Sequence, residues 1–387
     1  MSVTSPHGFV AAGVACGIKA SGALDLALVA TAGGRPVPAA AVFTRNRVSA
    51  APVDVSRAHI SATDGRAAAV VLNSGNANAA TGAGGVEAAE RMCAVTADVI
   101  GCSSSEVLVC STGLIGIPLP IDVVEAGIPK AAAALAADGG GDAAEAIRTT
   151  DTVRKEVVVP GDGYLIGGMA KGAAMLAPNM ATMLAVLTTD AAVDGAALRS
   201  ALALAVEGTF NAITIDGCTS TNDTVIVLAG GGGAAPDSAA FTRALRDACA
   251  SLAEQMVRDA EGATKFVRVR VKGAASDAEA RRAARKVAES QLVKCSWYGE
   301  DPYWGRILSE IGTAGVHVDP DTVVVSYGDT VVAAACVAVD HDRHAVAAHM
   351  AGPEIEITAD LGLGTGDATI LSADLTHGYV DENMGTS

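Results

Sequence analysis

A mixed α/β fold is what the sequence predicts, and three observations carry it. Short strand-like runs alternate irregularly with alanine-rich helical stretches, without the regular order of a doubly wound sheet. Half of the residues are hydrophobic, mostly Ala and Val, and only 3% are aromatic, so a core of tightly packed small side chains is expected. No internal repeat and no Pro/Ser-rich linker marks independent domains, and 387 residues suit one large domain or two intimate ones.

Taken in order, Ala67 to Leu72 is a buried-strand candidate, stopped by the turn-rich Asn73-Ser74-Gly75-Asn76. Glu87 to Val99 is helical by pattern. Glu106 to Cys110 is a short apolar strand ending at Ser111-Thr112-Gly113, and residues 131 to 147 are alanine-rich with a glycine break at 139 to 141. Lys155 to Val159 and Tyr164 to Met169 flank Gly161-Asp162-Gly163 as a hairpin. Thr182 to Leu187 is the next strand and Gly195 to Glu207 the next helix. Val225 to Ala229 is a strand, Gly230 to Gly233 a flexible loop, Ser238 to Val257 a helix and Lys265 to Val271 a strand. The clearest helix is Asp277 to Gln291: Ser276 and Glu279 have capping-box spacing. Ala280, Ala283, Ala284, Val287 and Ala288 form one apolar stripe, opposite a basic face of Arg281, Arg282, Arg285 and Lys286 that reads as solvated.

A formal net charge of −16 disfavours nucleic acid or an anionic membrane as partner. No run of eighteen or more apolar residues avoids charge and glycine, so no membrane span is expected. The opening Met1 to Phe9 lacks a basic region followed by an apolar stretch, so no secretory signal is expected either. The eight cysteines are scattered without a C-x-x-C pair and read as buried small hydrophobes in a reducing compartment, which makes a cytoplasmic enzyme the expectation. His341, His344 and His349 are poor metal ligands because Arg343 sits among them, and no metal is expected. Gly362-Leu363-Gly364-Thr365-Gly366 lacks the strand, helix and acidic residue of a dinucleotide loop and reads as a turn. The polar stretch from Asp216 to Asp223 either lines a pocket or is a loop stabilised by its own hydroxyls.

Chemistry concentrates in Lys171-Gly172-Ala173-Ala174-Met175-Leu176-Ala177-Pro178-Asn179-Met180-Ala181-Thr182-Met183-Leu184. This run is apolar yet punctuated by Lys, Gly, Pro and Asn. Pro178 restricts Ala177 and Asn179 offers local hydrogen bonds, so the chain should turn sharply before Thr182. Two readings stand: an ordinary hairpin turn with Lys171 snorkelling outward, or a turn that exposes the Ala181 carbonyl to the Thr182 hydroxyl. In the second, scission frees the threonine α-amine, whose pKa of roughly 8 lets it take the proton of its own side chain. Tethering removes most of the entropic cost of that encounter. Ser111-Thr112-Gly113 then offers an oxyanion hole, although a simple turn explains it as well.

The same run strongly resembles the cleavage-site signature of the ornithine acetyltransferase family, the bifunctional glutamate N-acetyltransferases of arginine biosynthesis. The resemblance extends in order through Gly8 to Lys19, Asn73 to Asn78, Ser111-Thr112-Gly113, Thr149 to Thr152, Glu261 to Lys265 and Gly299 to Pro302, nearly the whole chain. It implies an αββα-type layered sandwich with a second C-terminal α/β lobe, of the self-cleaved N-terminal-nucleophile kind. It implies scission between Ala181 and Thr182 into an α segment (1–181) and a β segment (182–387) that stay associated and assemble as a homo-oligomer of αβ units. Thr182 would carry acetyl from N2-acetylornithine to glutamate by a ping-pong cycle with no cofactor, and acetyl-CoA is a further donor the sequence leaves open. Thr112 and Gly113 match the oxyanion pair; Thr152, Lys171, Thr182, Glu261, Asn383 and Ser387 match substrate-binding positions. A lysine suits an α-carboxylate and a glutamate an amine.

The chain departs from the family at three places. It ends Met384-Gly385-Thr386-Ser387 without the usual tyrosine, Tyr303 stands where asparagine is common, and Thr369-Ile370-Leu371-Ser372 replaces a tryptophan-containing run. Three alternatives follow: an N-terminal-threonine amidase or aminopeptidase that hands the acyl group to water, a specialised-metabolism acyltransferase with an altered acceptor, or an uncleaved binding partner.

Overall fold

The computed structural model describes residues 2–177 and 183–384 and divides the chain into two compact units, 1–211 with 218–256, and 212–217 with 257–387. In the first unit the strands are β1 (Phe9–Val14), β2 (Leu26–Thr31), β3 (Val37–Phe43), β4 (Arg66–Ala67) and β5 (Ala69–Asn76). They are followed by β6 (Val107–Leu114), β7 (Lys155–Pro160), β8 (Leu165–Lys171), β9 (Leu184–Thr189) and β10 (Thr224–Ala229). They form a four-stranded sheet ordered β1-β2-β5-β6 and a six-stranded sheet ordered β4-β3-β10-β9-β8-β7.

Side chains that alternate along each strand explain the layering. Ala27 and Val29 of β2, Val70 and Leu72 of β5 and Leu108 of β6 share a core with Met169, Leu184, Val186, Ile226 and Leu228 of the other sheet. The intervening Leu26, Leu28, Val71 and Val109 face Ala89, Met92 and Cys93 of the helix Gly82–Ile100 and Val124 and Ile128 of the helix Ile121–Ala133. Strands buried on both faces read as unbroken apolar runs, as these do. The helix Gly195–Glu207 packs on β3, outside the second sheet, so this unit is layered helix, sheet, sheet, helix. The expected sandwich is present.

The second unit carries β11 (Phe266–Ala274), β12 (Val324–Tyr327), β13 (Thr330–Ala334), β14 (Val337–Ala338), β15 (Glu354–Asp360) and β16 (Gly366–Ala373) in one sheet ordered β14-β13-β12-β15-β11-β16. The predicted stripe of Ala280, Ala283, Ala284, Val287 and Ala288 is wholly buried against this sheet. Ser276 accepts from the Glu279 N–H, but the Glu279 carboxylate accepts from the His317 N–H, so only half of the expected box forms. That helix also ends sooner than its pattern suggests. It spans Asp277–Glu289, and Ser290 caps a second helix, Gln291–Tyr298.

Other expectations need correction. The glycines at 140 and 141 start a helix, Gly140–Ala146, instead of breaking one. Only Cys93, Cys110 and Cys249 are buried; Cys218, Cys295 and Cys336 are exposed. The turn predicted at Asn73-Ser74-Gly75-Asn76 belongs to β5, and the one at Ser111-Thr112-Gly113 belongs to β6. Among the described residues no helix is long and apolar enough to cross a membrane.

Lys294 is buried in the second unit at 3% exposure and donates to the Ser372 hydroxyl at 3.1 Å and to the Ala373 carbonyl. Burial lowers its pKa from 10.5 to about 8, against the opposing pull of Asp374 and Asp216. A depressed lysine holds its proton longer in the unfolded chain than in the folded one. The stability tied to it therefore rises as pH climbs from about 8 toward 10.5. Denaturant titration should show the protein gaining about 2 kcal/mol on Lys294→Met between pH 7 and 10. A flat or falling difference would contradict the burial of a charged amine.

Candidate active site

β5 and β6 run parallel with Asn73 opposite Ser111, Ser74 opposite Thr112 and Gly75 opposite Gly113, and the register slips at Gly75 and Asn76. Gly113 sits at φ +131°, and a Cβ there would lie 2.3 Å from the Gly75 carbonyl carbon and 2.5 Å from the Asn76 nitrogen. Only glycine fits this close approach. Side-chain amides brace the region. Asn73 donates to the Asn76 carbonyl at 2.8 Å and accepts from the Ser111 hydroxyl at 2.6 Å. Asn76 reaches the Ile117 carbonyl at 3.1 Å, and Asn222 spans from the Ala77 carbonyl (2.6 Å) to the Ser111 carbonyl (2.9 Å). Buried polar groups with satisfied partners give a rigid strand end, the property an oxyanion hole needs. Of the polar stretch from Asp216 to Asp223, Asn222 thus braces Ser111, the residue before the predicted oxyanion pair, a contact that no local sequence signal announces.

Lys171 ends β8, directly opposite Leu184 at the start of β9, two residues beyond Thr182. The flanks of the expected scission site are held on both sides. The Ala177 carbonyl accepts from the Thr219 hydroxyl at 2.9 Å, and the Met183 carbonyl accepts from the Thr224 N–H at 2.9 Å. Ala181 and Thr182 themselves lie outside the described residues, as do Thr386 and Ser387.

Beside Thr152, the buried Asp151 gathers three segments. Its carboxylate accepts from the Lys155 ammonium at 2.7 Å, the Gly172 N–H at 2.7 Å and the Thr149 N–H at 3.1 Å, and lies 4.0 Å from the Lys171 ammonium. Burial alone would raise the Asp151 pKa; the Lys171 and Lys155 charges and these hydrogen bonds outweigh it and hold the carboxyl well below the usual carboxylate range. In the sequence only its i, i+4 spacing from Asp151 signals the role of Lys155.

Glu261 and Asn383 belong to the second unit and meet there: the Asn383 amide donates to the Glu261 carboxylate at 2.7 Å. The Thr376 hydroxyl binds the Gly262 carbonyl, and the Asp374 carboxylate accepts from the Thr264 and Lys265 N–H groups. Lys265 pairs with Glu300 at 2.8 Å and also donates to the carbonyls of Met350, Ala351 and Gly352. The Glu261-to-Lys265 and Gly299-to-Pro302 motifs are therefore interlocked. Tyr303 is 55% exposed beneath the Arg306 guanidinium, and Thr369 to Ser372 form part of β16. The His349 ring accepts from the Glu356 N–H at 2.9 Å.

A family model described as the ArgJ family matches residues 10–385. A protein of Thermobifida fusca named "Arginine biosynthesis bifunctional protein ArgJ" is 48% identical over 388 residues, covering 100% of both chains. A protein of the same name from Streptomyces coelicolor gives the same identity and coverage. Among solved structures, an ornithine acetyltransferase complexed with ornithine from Mycobacterium tuberculosis is 48% identical, covers 46% of this chain and 96% of its own, and superposes with a TM-score of 0.44.

Proposed function

We infer the reaction from one premise: this chain belongs to the ArgJ family and is an acyltransferase of arginine biosynthesis. It is a glutamate N-acetyltransferase that moves acetyl from N2-acetylornithine to glutamate. The single observation that carries this reading is 48% identity along the entire chain to a bifunctional relative.

Maturation comes first. The Thr182 hydroxyl attacks the Ala181 carbonyl, the peptide bond becomes an ester, and water hydrolyses it to leave an α segment, 1–181, and a β segment, 182–387. The six-stranded sheet then joins the two, since β3, β4, β7 and β8 precede the cut while β9 and β10 follow it. The hydrogen bonds of β8 to β9 and of β3 to β10 cross that divide.

Transfer follows. The freed α-amine takes the Thr182 hydroxyl proton, and the oxygen attacks the acetyl carbonyl of N2-acetylornithine. Thr112 and Gly113 stabilise the resulting oxyanion. Collapse returns the proton to the departing amine, releases ornithine and leaves an acetyl ester on Thr182. The glutamate amine attacks that ester, and expulsion of the threonine oxygen gives N-acetylglutamate and regenerates the enzyme. Lys171 recognises the substrate α-carboxylate together with Thr152. Within the second unit, the Glu261 carboxylate held by the Asn383 amide suits an amine.

Product analysis tests the reading. With N2-acetylornithine and glutamate, the cleaved protein should make one N-acetylglutamate per ornithine released. Release of acetate in place of N-acetylglutamate would mark a hydrolase and reject transfer. Replacing N2-acetylornithine by acetyl-CoA in the same assay shows whether the chain is bifunctional like its named relatives.

A further inference from the structure

Three pieces of chain converge on one carboxylate in the first unit: the turn at 149–152, the start of β7, and the end of β8 with Gly172, where the segment leading to the scission bond begins. We propose that Asp151 is the positioning residue of the acyl-transfer site, orienting the Lys171 ammonium for a substrate carboxylate and anchoring at Gly172 the segment that presents the Ala181–Thr182 bond. This rests on the acyl-transfer reading above and deepens it.

The division of labour at Asp151 supports the role. Its Oδ1 atom takes both short contacts, from the Lys155 ammonium and from the Gly172 N–H, each at 2.7 Å. Its Oδ2 atom faces Lys171 at 4.0 Å, a distance at which charge steers the ammonium without a direct hydrogen bond. Lys155 is wholly buried, Asp151 is 3% exposed and Lys171 is 8% exposed, so these charges act in a medium that screens them weakly.

Stability alone is a poor reason to bury such a pair, because apolar residues of similar volume usually do as well or better. The geometry supplies another reason. Lys155 keeps Asp151 ionised and fixed, and Asp151 in turn fixes Thr152, its chain neighbour, along with Lys171 and Gly172. Gly172 needs the anchor, for it sits at φ +155° as the chain leaves β8. Neighbouring charges are committed elsewhere. Arg148 pairs with Glu145 at 2.6 Å and binds the Asp151 carbonyl, while Lys19 binds the carbonyls of Leu24 and Arg148.

Asp151→Asn keeps the shape and removes the charge. Assayed on the cleaved fraction, it should raise KM for N2-acetylornithine and for glutamate by about 10- to 100-fold, with kcat within about threefold. Self-cleavage, followed by gel over time, should slow in parallel. Because Asp151→Asn strands the Lys155 ammonium in the core, Asp151→Asn with Lys155→Met provides a variant free of that burden, and the same KM rise is expected at a parent-like melting temperature. Unchanged KM and unchanged cleavage in the double variant would overturn the proposal. Should neither neutral variant be soluble, Asp151→Glu, which retains the charge, decides: displaced by one methylene, it should still raise KM, and a KM within twofold of the parent would overturn the role. A parent that makes no N-acetylglutamate rejects the acyl-transfer reading itself, whereas an active parent beside unaffected variants rejects only the positioning role.

Discussion

Thr182→Ala is expected to yield one uncut chain and to lower acetyl transfer by about 10⁴- to 10⁶-fold. The size follows from removing two functions with one atom. In the proposed mechanism the hydroxyl is the nucleophile of the scission and again of the acyl transfer, and without scission the α-amine stays locked in a peptide bond where it cannot accept a proton. Neither Lys171 nor Thr112 can substitute: one is an ammonium beside a carboxylate, the other has no tethered amine of its own. The variant should still fold, because the segments on both sides are tied down independently. Ala177 is bonded to Thr219, Met183 to Thr224, and Leu184 to Thr189 pairs along β8. Intact mass, denaturing electrophoresis and N-terminal sequencing of the parent's second fragment read the scission. Two fragments from the alanine variant, or an uncut variant transferring acetyl at more than about a thousandth of the parent rate, would reject the mechanism.

Local signals were legible where local chemistry decides. The helix Gly195–Glu207 starts where Asp194 caps two N–H groups, and the hairpin between β7 and β8 turns where the Gly161 N–H meets the Tyr164 carbonyl. Local propensity misleads where distant chain segments satisfy residues that look like turn formers. Asn73, Ser74 and Asn76 have turn propensity, yet the parallel ladder to β6 and the carbonyls of Ala146 and Ile117 absorb their hydrogen bonds. Ser111-Thr112-Gly113 reads as a turn for the same reason: nothing within a few residues announces that β5 will lie alongside and carry the ladder through it. Around Thr182 the residues themselves leave an ordinary turn open beside a self-cleaving one, and the family resemblance favours the second. Lys155 illustrates the remaining gap, because a lysine at the start of a strand reads as surface, and only the fold reveals the carboxylate that makes its burial tolerable.

Replacing Gly113 by alanine is expected to reduce kcat by about 10²- to 10³-fold. An added methyl would sit 2.3 Å from the Gly75 carbonyl carbon and 2.7 Å from its oxygen, so backbone must move; no flexible side chain is there to yield. Either β5 and β6 spread at the irregular pair or Gly113 abandons φ +131°, a conformation costing a residue with a side chain about 1–3 kcal/mol. Both routes re-aim the backbone N–H groups that the proposed oxyanion hole depends on. The substrate recognition proposed at Lys171 and Thr152 lies on β8 and on the turn before β7, away from Gly113, so KM should change much less than kcat. Gly116 provides the matched control on the same connection. It too has positive φ, at +84°, but its methyl would meet nothing within 4 Å. Gly116→Ala should therefore cost about 1 kcal/mol of stability and leave kcat near the parent value. Steady-state kinetics on cleaved protein, paired with thermal unfolding, separates the two variants. A Gly113→Ala enzyme that turns over within threefold of the parent would remove this strand end from the chemistry, since a donor displaced from a developing oxyanion cannot leave the rate untouched.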